Sequence, residues 1–236
     1  MRGGASSLRL PIAVSSGILA WSAFANLVLG DRAYVSRNLV LTLGLWFVAR
    51  RSGFGAAELG VHTGPAAVRG LRVGLVSLAV IAAVVALGVS VREQVPLISM
   101  LLGDVRADLD GGRLAYAVLV RIPFGTALFE EFLFRGLLLA LLLRTMSARA
   151  AWIWAAVVFG LWHVPPTLAT LRLNGVAPLG GDGLAAMVGA VVVTTVAGLG
   201  FTELRRRGGD SLLAPILAHC ATNGAGLLAA AASRGG

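Results

Sequence analysis

Five stretches of 19 to 23 residues carry no charged side chain: 11–30, 73–91, 150–171, 183–202 and 211–233. An α-helix needs about 20 apolar residues to cross a hydrocarbon core about 30 Å thick, where the backbone must satisfy its own hydrogen bonds. A shorter run, 38–49, reaches spanning length if it extends back to Ala33 and Arg37 snorkels to the interface. A further run, 114–143, is strongly apolar but contains Arg121, Glu130, Glu131 and Arg135. Its length suits one tilted or kinked helix with Pro123 near the kink; a break beside the glutamates would make two elements of it. The expected fold is all-α, a polytopic transmembrane bundle of about 7–8 spans. Residues 1–113 would supply about three N-terminal spans with their loops, and residues 114–236 the helices of the core. The first run is too long and unbroken for a signal peptide and is read as a retained span.

The charge pattern agrees. Only 13% of the 236 residues are charged and 57% are apolar, against about 25% charged in soluble domains. That excludes a disordered chain and argues against a soluble enzyme. All 20 basic residues are Arg, giving a formal net charge of +9. They stand mostly singly or in pairs between apolar runs, which fits a role in membrane topology and not nucleic-acid binding. With the N-terminus in the cytoplasm, eleven arginines fall inside (Arg2, Arg9, Arg50, Arg51, Arg69, Arg72, Arg144, Arg149 and Arg205 to Arg207) and seven outside. The Arg205–Arg207 cluster is the clearest part of this bias. A multi-pass protein of the plasma membrane is expected. The single Cys220 excludes an intramolecular disulfide. Asp104, Asp108 and Asp110 superficially suggest a calcium loop, but Arg106 and Ala115 stand where ligands are required, so a solvated acidic loop is expected. His62 is expected in solvent between two spans.

The chemistry must lie where polar groups bear an insertion cost. Glu130, Glu131 and Arg135 together cost on the order of 8–10 kcal/mol before pairing. Glu131 and Arg135 are four apart on a helix and can pair. Glu130 lies about 100° around the helix and is left over, and a purely structural ion pair has no need of it. His163 and His219 lie inside two other apolar runs, with Phe159 one turn before the first and Asn223 one turn after the second. Counted from the nearest cytoplasmic charges at about 1.5 Å per residue, Glu130 and His163 both reach a depth of about 21 Å, and His219 and Asn223 about 14 and 20 Å. One shared cavity is therefore geometrically allowed.

Glu130-Glu131-Phe132-Leu133-Phe134-Arg135 is an EExxxR box, Phe159 to His163 an FxxxH box, and His219 to Asn223 an HxxxN box. In this order on separate spans they resemble the CPBP family of intramembrane proteases, which includes the CAAX-processing type II endopeptidase and bacteriocin-processing and immunity proteins. The resemblance covers about residues 114–226; a further, less specific box falls near Phe201. It implies an endopeptidase that cuts a peptide or protein substrate near the cytoplasmic membrane boundary. Glu130 would be the general base that activates water, helped by His163. Glu131 and Arg135 would fix the helix and orient the base. His219 and Asn223 would donate to the oxyanion, and Phe159 would pack beside the substrate. Metal-free chemistry is the favoured expectation; the alternative is a zinc site built from Glu130, His163 and His219. Two other functions compete: a non-catalytic scaffold or bacteriocin-immunity factor, and a small transporter using the same carboxylates.

Overall fold

A computed structural model describes residues 8–234 apart from 96, 97, 99–101 and 104, so Arg2 and Asp104 of the sequence argument lie outside the described residues. Among the described residues the chain is helical, with no strand. Helix α1 is Arg9–Leu29, α2 Tyr34–Arg51 and α3 Gly64–Ser90. Helix α4 runs without a break over residues 111–143. Helices α5 (Ala148–Trp162) and α6 (Val164–Leu173) follow, then α7 (Gly181–Arg207) and α8 (Leu213–Arg234). Among the described residues, five helical units are long and apolar enough to cross a membrane: α1, α3, α5 with α6, α7 and α8. The all-α bundle is thus present. Helices α3 and α7 expose most of their apolar side chains, as lipid-facing helices do.

The element expected as either one helix or two is one unbroken helix, as the first of the two expectations had it. Helix α4 widens into π-helix over Ala117–Ala127 and again over Phe132–Leu138, on either side of the single α-turn Leu128–Glu131. Pro123 lies in the first wide stretch, where its missing N–H and its ring are accommodated without interrupting the rod. Asp110 caps the start of α4 by accepting from the Arg113 N–H at 2.8 Å. One acidic residue of the supposed solvated loop therefore has a structural task. The break falls in the next span instead. His163 ends α5 and begins α6, with Pro165 and Pro166 in the first turn after it.

The connections sort to two ends of the bundle. At one, Arg121 donates to both oxygens of Asp31 at 2.6 and 3.1 Å, and the Val105 N–H donates to Asn174 Oδ1 at 3.2 Å. At the other, Arg144 donates to both oxygens of Glu58 at 2.9 Å, and the Leu212 N–H donates to the Gly60 carbonyl at 2.9 Å. These are called the Asp31 end and the Glu58 end. The Arg205–Arg207 cluster lies at the Glu58 end but is not three free charges. Arg206 and Arg207 both pair with Glu203 at 2.7 Å, and Arg205 is buried. His62 is half-buried rather than solvated, with its Nε2 enclosed and unpaired.

Helix α4 is the axis of the core. From Phe129 to Leu142 every residue but Leu137 is buried. Helix α3 closes on α8 through Gly70 and Gly74: a Cβ at either would stand 2.6 Å from Ser211 or 2.7 Å from Leu217. This small-xxx-small spacing lets two apolar helices pack backbone to backbone in lipid. It brings α8, and with it His219, alongside the charged turn of α4.

Candidate active site

The α-turn between the two π-helical stretches presents Glu130 and Glu131 to different neighbours. Glu131 is fully enclosed and accepts from Arg135 Nη1 at 3.1 Å, the pairing expected one helical turn on. Its same oxygen, Oε1, also bonds His219 Nδ1 at 2.8 Å. An ionised carboxylate can only accept, so Nδ1 is a protonated nitrogen of His219. The other ring nitrogen, Nε2, stands 3.8 Å from Glu130 Oε2. Glu130 is held through its other oxygen: Oε1 accepts from Trp162 Nε1 at 3.2 Å.

Aromatic rings enclose this set. Phe159 lies under the Arg135 guanidinium at 4.0 Å and stands edge-on to His163 at 4.7 Å and to His219 at 6.2 Å. Phe201 stacks on His219 at 5.1 Å, nearly parallel. A desolvated guanidinium over an aromatic face gains about 2 kcal/mol, which offsets part of its burial cost. Gly198 makes room on α7: a Cβ there would lie 3.1 Å from Arg135 Nη2 and 3.2 Å from Phe159.

Within this cluster three enclosed polar atoms lack a hydrogen-bond partner among the described residues: Glu130 Oε2, Glu131 Oε2 and Arg135 Nη2. Buried polar atoms are usually bonded, and unsatisfied ones mark sites that bind water or ligand. The charges are also uneven. Two carboxylates face one guanidinium, so a single proton on His219 or Glu130 makes the set neutral. An apolar cavity of about 230 Å³ opens between α1, α2 and α4, lined by Val14, Ile18, Leu41, Leu45, Phe129 and Leu133. Glu130, Glu131, Arg135 and His219 do not line it.

Of the residues singled out in the sequence, Glu130, Glu131, Arg135, Phe159 and His219 are gathered into one cluster. His163 makes no hydrogen bond or ion pair with the carboxylates among the described residues: its Nδ1 donates to the Phe159 carbonyl at 2.7 Å, leaving Nε2 as the nitrogen with a lone pair. Asn223 lies half-buried one turn beyond His219, with no hydrogen bond among the described residues. Nor do Glu130, His163 and His219 form a ligand set: among the described residues no three His, Cys, Asp or Glu are grouped so as to hold a metal ion.

Residues 112–225, just under half of the chain, match the family model described as type II CAAX prenyl endopeptidase Rce1-like. Over this segment the chain is similar to the Rce1-like family. No curated protein and no solved structure matches the chain significantly. The Rce1-like segment contains all three boxes and every side chain of the cluster, and that family is one of proteases. With its apolar helices, it makes this a membrane protein.

One member of the site and one of its bonds escaped the sequence. Trp162 sits inside the FxxxH box, but nothing in the spacing says that its indole N–H reaches back 32 residues to Glu130. The bond between Glu131 and His219 spans 88 residues. A usable signal existed for the first: a buried Trp needs an acceptor for its N–H, and acceptors are scarce in these spans. Phe201, placed only loosely from the sequence, is the ring that stacks on His219.

Proposed function

We propose that this protein is an intramembrane endopeptidase in which Glu130 activates water for attack on a peptide bond. The observation that carries the proposal is the facing of Glu130 Oε2 and His219 Nε2 across 3.8 Å inside a buried cluster. One water oxygen bridges such a gap with a hydrogen bond to each side. With the spare proton on His219, Glu130 is ionised and poised to accept, while the imidazolium Nε2–H is a donor.

The chemistry then runs on this chain's own groups. The water gives a proton to Glu130 as its oxygen bonds to the peptide carbonyl carbon. The carbonyl oxygen becomes an oxyanion and accepts from the His219 Nε2–H and the Asn223 amide. Collapse breaks the C–N bond, and Glu130 passes its proton to the leaving nitrogen. Glu131 keeps His219 oriented and charged, and Arg135 balances Glu131. His163, with Nδ1 committed to Phe159, offers Nε2 as a second acceptor for the water. No step runs through zinc. The substrate is a peptide or protein at the plasma membrane, cut near the cytoplasmic boundary.

The test is cleavage of model peptides, with and without a farnesyl group, by purified protein in liposomes. Glu130→Gln is expected to abolish turnover while the protein stays folded. Chelator is expected to leave the wild-type rate unchanged. Full cleavage by Glu130→Gln overturns the proposal; inhibition by chelator, reversed by zinc, overturns its metal-free form.

A further inference from the structure

We infer that Arg205 is a positioning residue, which sets how α8 and α4 meet and so holds His219 against Glu131. This rests on the reading of that pair as part of the reaction centre. From the sequence, Arg205 is one of three arginines in a row and invites a role in topology alone. Its neighbours fill that role: Arg206 and Arg207 are exposed and share Glu203. Arg205 points inward and is 4% exposed.

Its guanidinium is held by backbone carbonyls from three segments. Nε donates to the Asp210 carbonyl at 3.1 Å, Nη2 to the Glu58 carbonyl at 2.8 Å, and Nη1 to the Arg135 carbonyl. Each lies at a point that matters to the site. Asp210 belongs to the tight turn that launches α8, and its N–H bonds back to the Arg205 carbonyl at 2.9 Å. That turn has a left-handed residue at Asp210 itself (φ 60°), so its shape is not one the chain adopts by default. Arg135 lies one helical turn past Glu131, within the π-helical stretch Phe132–Leu138. Glu58 belongs to the loop 52–63, whose Leu59 carbonyl lies against Gly136 of α4.

One rigid fork thus joins the start of the helix that carries His219 to the turn after the one that carries Glu131. Lysine cannot replace it: an ammonium is a point donor on a flexible stem, whereas the three guanidinium nitrogens diverge in one plane. The site of Arg205 in the last turn of α7, where the helix dipole favours a cation, makes burial without a carboxylate tolerable.

The test compares Arg205→Lys with Arg206→Ala/Arg207→Ala, reading both turnover and the histidine ring signals of ¹⁵N-labelled protein. The His219 signal is assigned by its loss in His219→Gln. The double variant is expected to match wild type. Arg205→Lys is expected to lose about 10- to 100-fold in kcat with KM unchanged, as when a supporting residue lets a reacting group drift. Its hydrogen-bonded His219 Nδ1 proton signal should weaken or vanish. Should Arg205→Lys not fold, Arg205→Gly refolded with millimolar methylguanidinium is expected to regain the signal, and with methylammonium not to. A folded Arg205→Lys with an unchanged His219 signal overturns the inference, as does Arg205→Gly regaining its signal equally with either ion. If the wild type cleaves nothing, the proposed activity fails while the His219 signal still decides the role of Arg205.

Discussion

Helix α4 carries two polar groups of residues, and they are finished differently. Near the Asp31 end, Arg121 binds both oxygens of Asp31, the Tyr34 and Thr126 hydroxyls meet at 3.0 Å, and the buried Asn38 amide donates to the Gly125 carbonyl at 2.7 Å. None of these side chains leaves an enclosed polar atom unpaired. Farther along the same helix, Glu130, Glu131 and Arg135 are all buried, Glu131 and Arg135 almost completely, yet each keeps one enclosed atom without a hydrogen-bond partner among the described residues. Unmade hydrogen bonds are costly where water is excluded. A closed network fits a structural joint between α2 and α4. A network left open, at greater cost, fits a place kept for something that arrives.

On that contrast, substitutions in the open cluster act on turnover, with a loss of stability as well where a buried charge loses its partner, and those in the closed joint act on stability alone. The largest effect is expected for Glu130→Gln, about 10³-fold or more in kcat, with thermal unfolding little changed. A rate assay beside a melting curve checks both halves. Arg135→Met comes next: it leaves Glu131 buried beside nothing but His219 and is expected to destabilise the fold by about 3–5 kcal/mol, read from denaturant unfolding in detergent. Trp162→Phe keeps the ring contacts to Phe129 and Phe134 but removes the donor to Glu130. It is expected to lower kcat about 10-fold with KM intact; a change in KM alone would say that Trp162 only shapes the pocket.

The smallest effect belongs to the closed joint. The Arg121 guanidinium, by hydrogen bond and by charge, holds the Asp31 carboxyl below its usual value of 3.8. A depressed carboxyl stabilises the fold above its ordinary value and loses that contribution as pH falls through the lowered one. Asp31 is largely exposed, so Asp31→Asn is expected to cost less than about 1 kcal/mol near neutral pH and to flatten the stability profile below pH 4. Turnover should not change. A marked loss of turnover in Asp31→Asn would erase the distinction between the two clusters.

How much of this was legible in the residues depends on distance along the chain. The spans could be read from uncharged runs, because crossing a hydrocarbon layer imposes length and composition on each helix separately. The Glu131–Arg135 pair and the shared face of His219 and Asn223 could be read because a helix fixes the geometry of residues four apart. What Pro123 would do locally was less legible: the helix stays continuous and widens to π-helix around it, whereas the interruption at His163 falls just before two prolines. Arg205 was less legible still, because a run of three arginines looks like a solvent-facing cluster until its neighbours are seen.

By itself, then, the sequence determined that this chain makes a membrane-embedded helical bundle and which charged side chains it must bury within its apolar spans. Only the tertiary structure decided that His219 bridges toward both glutamates, that Trp162 holds Glu130 by one oxygen, and that Arg205 turns inward. The reason is physical: hydrogen bonding within a helix fixes spacing along it, whereas its rotation and depth against neighbours are set by close approach at residues such as Gly70, Gly74 and Gly198. Those contacts join parts of the chain too far apart for local spacing to relate them.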